Sequence, residues 1–250
     1  MTKIVAIGGG EIGRPGYPIE TLSIDTEVVS LTGKSRPNLL FLPTASKDDV
    51  GYAKVVEDYY GKRLGCKVET LYLYTKPTLQ EIKDAIRKAD IIYVGDGNTL
   101  SMMTLWRKTS LDKLLLQATN KVLAGVSAGA ICWFRSGLSD ARSFISNGKE
   151  WSYIGVKGLD IYDLVICPHY DEEVNRQAAL KHLLAQTNKV AIALENCTAL
   201  EIIDDSYRII ASKDNKQAYK IFWKQGKYYK QGIKPTIEFS QISELFRLSD

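Results

Sequence analysis

Residues 123 to 134 read LAGVSAGAICWF, and within them Ser127 stands between Gly125 and Gly129 in a G-x-S-x-G pattern. Between an apolar strand and a helix, that pattern is a nucleophile elbow, in which small residues permit a strained turn that exposes the serine at the carboxyl edge of a sheet. The five-residue match alone is weak, because any tight turn needs the same small residues. A serine hydroxyl is a poor nucleophile unless a base takes its proton, and the chain has 2 histidines. His182 lies in NRQAALKHLLAQ, beside Lys181 and opposite the apolar helical face of Ala179, Leu180, Leu183 and Leu184, so it reads as solvated. His169 closes the apolar run LVICP. That places it at the carboxyl end of a strand, the edge where sites assemble in open α/β sheets.

A third group should orient the imidazole. Glu195 ends the run VAIAL as His169 ends its own, and Asp140, Asp163 and Asp171 remain alternatives. The order Ser127, His169, Glu195 differs from the serine, acid, histidine order of α/β-hydrolases and argues against that fold. Acyl transfer also needs backbone N–H donors aimed at an oxyanion. Ala128, directly after the serine, supplies one, and VGDGNTL offers a glycine loop at another strand end for the second. Asn98 or Thr99 in that loop also suits the cap of the helix that follows.

The elements that must position these residues are legible as alternating patterns. Short apolar runs, KIVAI, NLLFL, VETLYLY, DIIYVGD, KVLAGV, LVICP and KVAIAL, predict strands of a mostly parallel sheet. Between them VGYAKVVEDYYGKRL, with Val50, Ala53, Val56 and Tyr60, and TLQEIKDAIRKA, with Leu79, Ile82 and Ile86, carry apolar residues three and four apart and predict crossover helices. After Leu200 the composition turns to tyrosine, lysine and isoleucine, with turn signals at Asp204-Asp205, Asp214-Asn215 and Gln225-Gly226. These predict antiparallel hairpins over about 204–235. A last short helix, SQISELFRL, opens on Ser240 as its cap. No linker or repeat divides residues 1–250, which are expected to form one domain.

Composition narrows the partners. With 33 basic and 29 acidic residues and a net charge of +4, the chain is too evenly charged to suggest nucleic acid or an acidic membrane. Cys66, Cys132, Cys167 and Cys197 show no metal-ligand spacing and read as buried thiols. The opening MTKIVAIGGG has too few apolar residues for a signal core, and no run is long enough to span a membrane, so a cytoplasmic location is expected. Gly8, Gly10 and Gly13 have dinucleotide-fingerprint spacing, but Pro15, Gly16 and Pro18 interrupt the helix it requires and no acid ends the second strand. A plain glycine turn at the sheet edge is the better reading.

Taken together, VGDGNTL, GVSAGA, CPHY and ALENCTAL, with the opening IVAIGGGEIG, resemble the peptidase E family of serine peptidases, relatives of the cyanophycinases within the class I glutamine amidotransferase-like fold. The resemblance covers about residues 1 to 203. It implies a flavodoxin-like doubly wound sheet, here with a C-terminal antiparallel β-hairpin extension. It also implies a serine exopeptidase or dipeptidase that hydrolyses short peptides through an acyl-enzyme, with no metal or organic cofactor. Ser127 takes the nucleophile's place, His169 the base's and Glu195 the acid's, with the N–H groups of Gly97 and Ala128 as oxyanion donors. Two positions depart from the family pattern. Asp96 replaces the middle glycine of the usual G-G-G-N-T loop. A carboxylate about 4 Å from a developing oxyanion would cost about 4 kcal/mol at an effective dielectric near 20. Either Asp96 points away, toward a substrate ammonium, or the enzyme is slow; Asp96 also motivates a second reading, a silent binding or regulatory protein on the same scaffold. The substrate-reading arginine expected after His169 has Arg176 as its nearest candidate, which leaves a preference for N-terminal aspartate in doubt. The oligomeric state is open; the tyrosine-rich hairpins offer a face for a homodimer or a shield for the site.

Overall fold

The computed structural model describes residues 2–142, 152–172 and 175–248. Its strands are β1 (Lys3–Ile7), β2 (Asn38–Leu42), β3 (Lys67–Thr70), β4 (Ile91–Val94), β5 (Val122–Val126), β6 (Phe134–Ser139), β7 (Ile154–Lys157), β8 (Tyr162–Cys167), β9 (Ala191–Leu194), β10 (Thr198–Ile203), β11 (Ser206–Ala211), β12 (Ala218–Lys224), β13 (Lys227–Ile233) and β14 (Ser240–Gln241). The helices are α1 (Leu22–Ser30), α2 (Val50–Val56), α3 (Leu79–Lys88), α4 (Thr99–Thr109), α5 (Leu111–Leu116), α6 (Ala128–Ile131), α7 (Arg176–Ala185) and α8 (Ser243–Phe246).

Every apolar run predicted as a strand contributes one, and the fold is the expected flavodoxin-like α/β type. The strands divide between two sheets, however, where the sequence suggested one. The first runs β14-β11-β10-β1-β5-β4-β2-β3, with β1, β5, β4, β2 and β3 parallel; the second runs β13-β12-β9-β8-β6-β7, with β9, β8 and β6 parallel. The two predicted hairpins part company accordingly. β10 and β11 extend the first sheet beside β1, and β12 and β13 extend the second beside β9. Apolar periodicity reports that a strand is buried but not which neighbour it pairs with. The C-terminal helix is also shorter than expected, and Ser240 lies in β14, paired with Tyr207, rather than capping it.

Three apolar layers hold the sheets. One face of the first sheet, through Val5, Ile7, Phe41 and Tyr93, packs on Ile24 and Val28 of α1 and Val56 of α2. Its other face, with Leu40, Val94 and Leu123, shares a core with Ile82 of α3, Met102 of α4 and Ile166, Ile192 and Phe222 of the second sheet. The far face of the second sheet closes on Leu180 and Leu184 of α7. All four cysteines are buried free thiols, and His182 is exposed. Among the described residues, no helix is long and apolar enough to cross a membrane.

One buried charge interrupts the first of these cores. α2 runs on into a π-helical turn, Glu57–Arg63, that carries Tyr59 and Tyr60 inward. Asp25 of α1, with no exposed surface, accepts hydrogen bonds from the hydroxyls of Thr21 (2.6 Å), Tyr59 (2.9 Å) and Tyr60 (2.5 Å). Burial pushes its carboxyl up to about 6, against the lowering effect of those donors. Because the folded value lies above the unfolded one, Asp25 favours the native state at low pH and loses that contribution as pH rises through about 6. Urea unfolding should therefore show wild type gaining about 1 kcal/mol relative to Asp25→Asn between pH 7 and pH 5. A stability difference that does not move with pH would contradict this.

Candidate active site

β5 ends at Val126 and α6 begins at Ala128, so Ser127 alone makes the turn, with φ 54 and ψ −105. A non-glycine residue there is strained and persists only where its surroundings over-determine it. They do so here by close approach to β4. A Cβ on Gly129 would lie 2.1 Å from the Val94 carbonyl oxygen, and one on Gly125 would lie 2.7 Å from the same atom. The glycines of G-x-S-x-G are therefore steric requirements of the elbow.

The tip of β1 assembles the rest. Three successive carbonyls accept three backbone N–H groups: Ile7 from Ser127 (3.1 Å), Gly8 from His169 (2.9 Å) and Gly9 from Cys197 (2.8 Å). Each of these three donors also has a positive φ, 54, 52 and 63 respectively. A Cβ at Gly9 would sit 2.1 Å from Asn196 Oδ1 and 2.5 Å from His169 Nδ1. The opening IGGG is thus more than the plain edge turn expected of it, since it is the surface against which an imidazole and an amide are packed.

The imidazole's partner is not the expected acid. His169 Nδ1 lies 2.8 Å from Asn196 Oδ1, an acceptor, which makes Nδ1 the donor and leaves the Nε2 lone pair free in the neutral ring. Glu195 is occupied elsewhere: its carboxylate accepts the Gln217 N–H (3.0 Å) and the Tyr219 hydroxyl (2.9 Å). β9 ends at Leu194, and consecutive residues off a strand end face opposite ways. Glu195 turns to β12, and Asn196 turns to the tip of β1. Of the other acids, Asp171 accepts the Asn196 backbone N–H (2.8 Å) and pairs with Lys216, bracing the amide from behind. Asp163 pairs with Arg135 and Lys189, and Asp140 lies on the wall of the cleft described next.

Ser127, His169 and Asn196 open into a cleft of about 1630 Å3 that Asp96, Gly97 and Asn98 also line. Gly97 has φ 136 and no room for a side chain, since a Cβ would meet the Ala45 carbonyl oxygen at 2.3 Å. Asn98 caps α4 by accepting the Ser101 N–H (2.9 Å) and donates to the Ala141 carbonyl (2.9 Å), a structural use of that side chain. Asp96 is exposed, and its backbone N–H donates to the Tyr52 hydroxyl (3.3 Å). Burial first, and then the Asp96 charge, push the Tyr52 phenol well up, so it stays protonated. Ala128 directly follows the serine, with its side chain buried. Arg176 does not reach the cleft. It is 2% exposed, donates to the Pro168 carbonyl (2.9 Å) and lies over the Tyr153 ring. Its guanidinium is consumed inside the fold, so the expected substrate-reading role is withdrawn.

Residues 4–210 match Peptidase family S51. The chain belongs to that family. Among its relatives, YgaJ, an uncharacterized peptidase of Bacillus subtilis, is 32% identical over 231 residues, 88% of this chain and 92% of its own length. Peptidase E of Nostoc sp. is 25% identical over 200 residues, 75% of this chain and 78% of its own. A crystal structure of a peptidase from an acI-B1 Actinobacterium superposes with a TM-score of 0.71 at 17% identity, covering 96% of each chain. A structure from Listeria monocytogenes provisionally assigned as peptidase E gives 0.64 at 22% identity, covering 84% of this chain and 98% of that one. At such identities the two structures speak to the fold alone. S51 membership makes this chain a peptidase, a hydrolase of peptide bonds.

Proposed function

We propose that this S51 chain is a serine exopeptidase that cleaves short peptides through an acyl-enzyme on Ser127. The observation that carries the reading is the convergence of Ser127, His169 and the segment of Asn196 on three consecutive carbonyls, Ile7 to Gly9, where β1 ends, inside one cleft. In this reading His169 Nε2 takes the Ser127 proton as Oγ adds to the scissile carbonyl. The Gly97 and Ala128 N–H groups receive the oxyanion, and His169 then returns the proton to the leaving amine. Water enters, and the same base activates it to release the acyl group.

Asn196 fills the place expected for Glu195. Its amide fixes the tautomer and ring orientation, as asparagine does in cysteine-histidine-asparagine hydrolases, but a neutral amide offers the imidazolium no countercharge. Removing one such hydrogen bond is worth about 1–3 kcal/mol, or about tenfold to a hundredfold in rate. Asn196→Ala should lower kcat by that factor, whereas Glu195→Gln should leave kcat within about threefold and act on stability through β12. The reverse ranking in steady-state kinetics would return the role to Glu195.

Fluorophosphonate labelling tests the function directly. In folded protein the probe should modify Ser127 and no other serine, as read by peptide mass spectrometry, and a dipeptide and tripeptide library should then reveal turnover. Folded protein that binds peptides but neither labels nor hydrolyses them would instead favour a silent binding scaffold, the reading Asp96 first suggested.

A further inference from the structure

The cleft is lined by four lysine and arginine side chains, Arg14, Lys47, Lys54 and Arg63. Arg14 is paired with Glu11, and Lys54 with Glu57 and Asp58. Among the described residues, Lys47 and Arg63 have no ion pair. Arg63 ends the π-helical turn, at the far end of the helix that starts at Val50. Lys47 is carried by the segment that touches the Gly97 loop. A Cβ on Gly97 would meet the Ala45 carbonyl oxygen at 2.3 Å and the Ser46 nitrogen at 2.8 Å, and the Asn98 N–H donates to Ala45 (2.8 Å).

The backbone at Lys47 is both unusual and fixed. Lys47 and Asp48 are consecutive non-glycine residues with φ 58 and 60. The Lys47 N–H donates to the Thr44 carbonyl (3.1 Å) and the Asp48 N–H to the Pro43 carbonyl (3.0 Å). The buried Asp48 carboxylate accepts the Tyr74 N–H (2.6 Å), and Trp106 Nε1 donates to the Thr44 hydroxyl (3.2 Å). Strain of this kind is retained where a side chain must be aimed. Asp49, the next acid along the chain, caps α2 by accepting the Tyr52 N–H (2.6 Å).

Asp96 on the Gly97 loop and Lys47 on the abutting loop therefore both line the cleft that holds the proposed oxyanion donor, a negative and a positive group. A dipeptide presents the complementary pair, an ammonium and a carboxylate about 7 Å apart along an extended chain. We infer that Lys47 is a specificity-determining residue that receives the free carboxylate of the leaving residue, so that the cleft selects short peptides with an unblocked C-terminus. This rests on the peptidase reading of the Ser127 cleft.

The test is binding to the Ser127→Ala protein of X-Ala dipeptides and of the matching X-Ala amides, with X spanning the natural residues, read by affinity-selection mass spectrometry. The dipeptides should bind about tenfold or more tightly than the amides, the size of one charge-assisted contact. The preference should fall to within about twofold in Ser127→Ala/Lys47→Met and persist in Ser127→Ala/Lys47→Arg. Equal binding of acids and amides, a preference that survives Lys47→Met, or no binding of either series would overturn the inference. Wild-type turnover of the same peptides is scored separately. A Lys47-dependent preference without turnover would sink the peptidase reading and leave the carboxylate site standing.

Discussion

Ser127→Ala should lower kcat/KM on any hydrolysed peptide by about 10^4-fold or more, abolish fluorophosphonate labelling and leave peptide affinity within a few-fold of wild type. The size follows from what the residue does. A nucleophile that forms the covalent intermediate cannot be bypassed by its base, so only the oxyanion donors and substrate positioning continue to act. Binding should survive because the Ser127 main chain, not its hydroxyl, is built into the fold. Its N–H is held by Ile7, and its carbonyl accepts the Ala130 (2.9 Å) and Ile131 (3.1 Å) N–H groups of α6. Alanine keeps those bonds and tolerates the positive φ no worse than serine does. Thermal unfolding should accordingly shift little. A Ser127→Ala protein that retains a tenth of wild-type activity would remove Ser127 from the chemistry and with it the acyl-enzyme.

How far the sequence anticipated this site depends on which physical signal each residue carried. Ser127 and His169 announced themselves because strand ends are visible as apolar runs, and the carboxyl edge of a parallel sheet is a shared location. Asn196 did not, because an acid stood one residue before it, and nothing in composition says which of two adjacent residues at a strand end turns toward β1. The pairing of β9 with β12 decides it, by giving Glu195 the Gln217 N–H and the Tyr219 hydroxyl. Arg176 misled for a related reason. Helical position was legible, but the carbonyls that take its guanidinium, Pro168 just past β8 and Leu138 within β6, belong to elements no local pattern connects to it. The division into two sheets was hidden likewise, because β8 and β9 have the same apolar character whether they join the first sheet or a second.

The glycine-rich opening yields the sharpest test of that assembly. Gly9→Ala should reduce kcat/KM by about a hundredfold or more, although residue 9 donates no group to the reaction. The added methyl would lie 2.1 Å from Asn196 Oδ1, 2.5 Å from His169 Nδ1 and 2.6 Å from its Cε1, closer than any Cβ contact can be, so one or both side chains must move. An imidazole displaced by about 1 Å misdirects the proton it takes from Ser127, and errors of that size cost about a hundredfold. Gly33→Ala is the control. Gly33 also has a positive φ, 68, but a Cβ there would meet nothing within 4 Å. It should cost about 1 kcal/mol in urea unfolding and leave kcat unchanged. Folded Gly9→Ala protein should be slow both in turnover and in fluorophosphonate labelling, because both need the base in place. Normal labelling and turnover in that variant would mean that the His169 and Asn196 pair, as packed against β1, is not what activates Ser127.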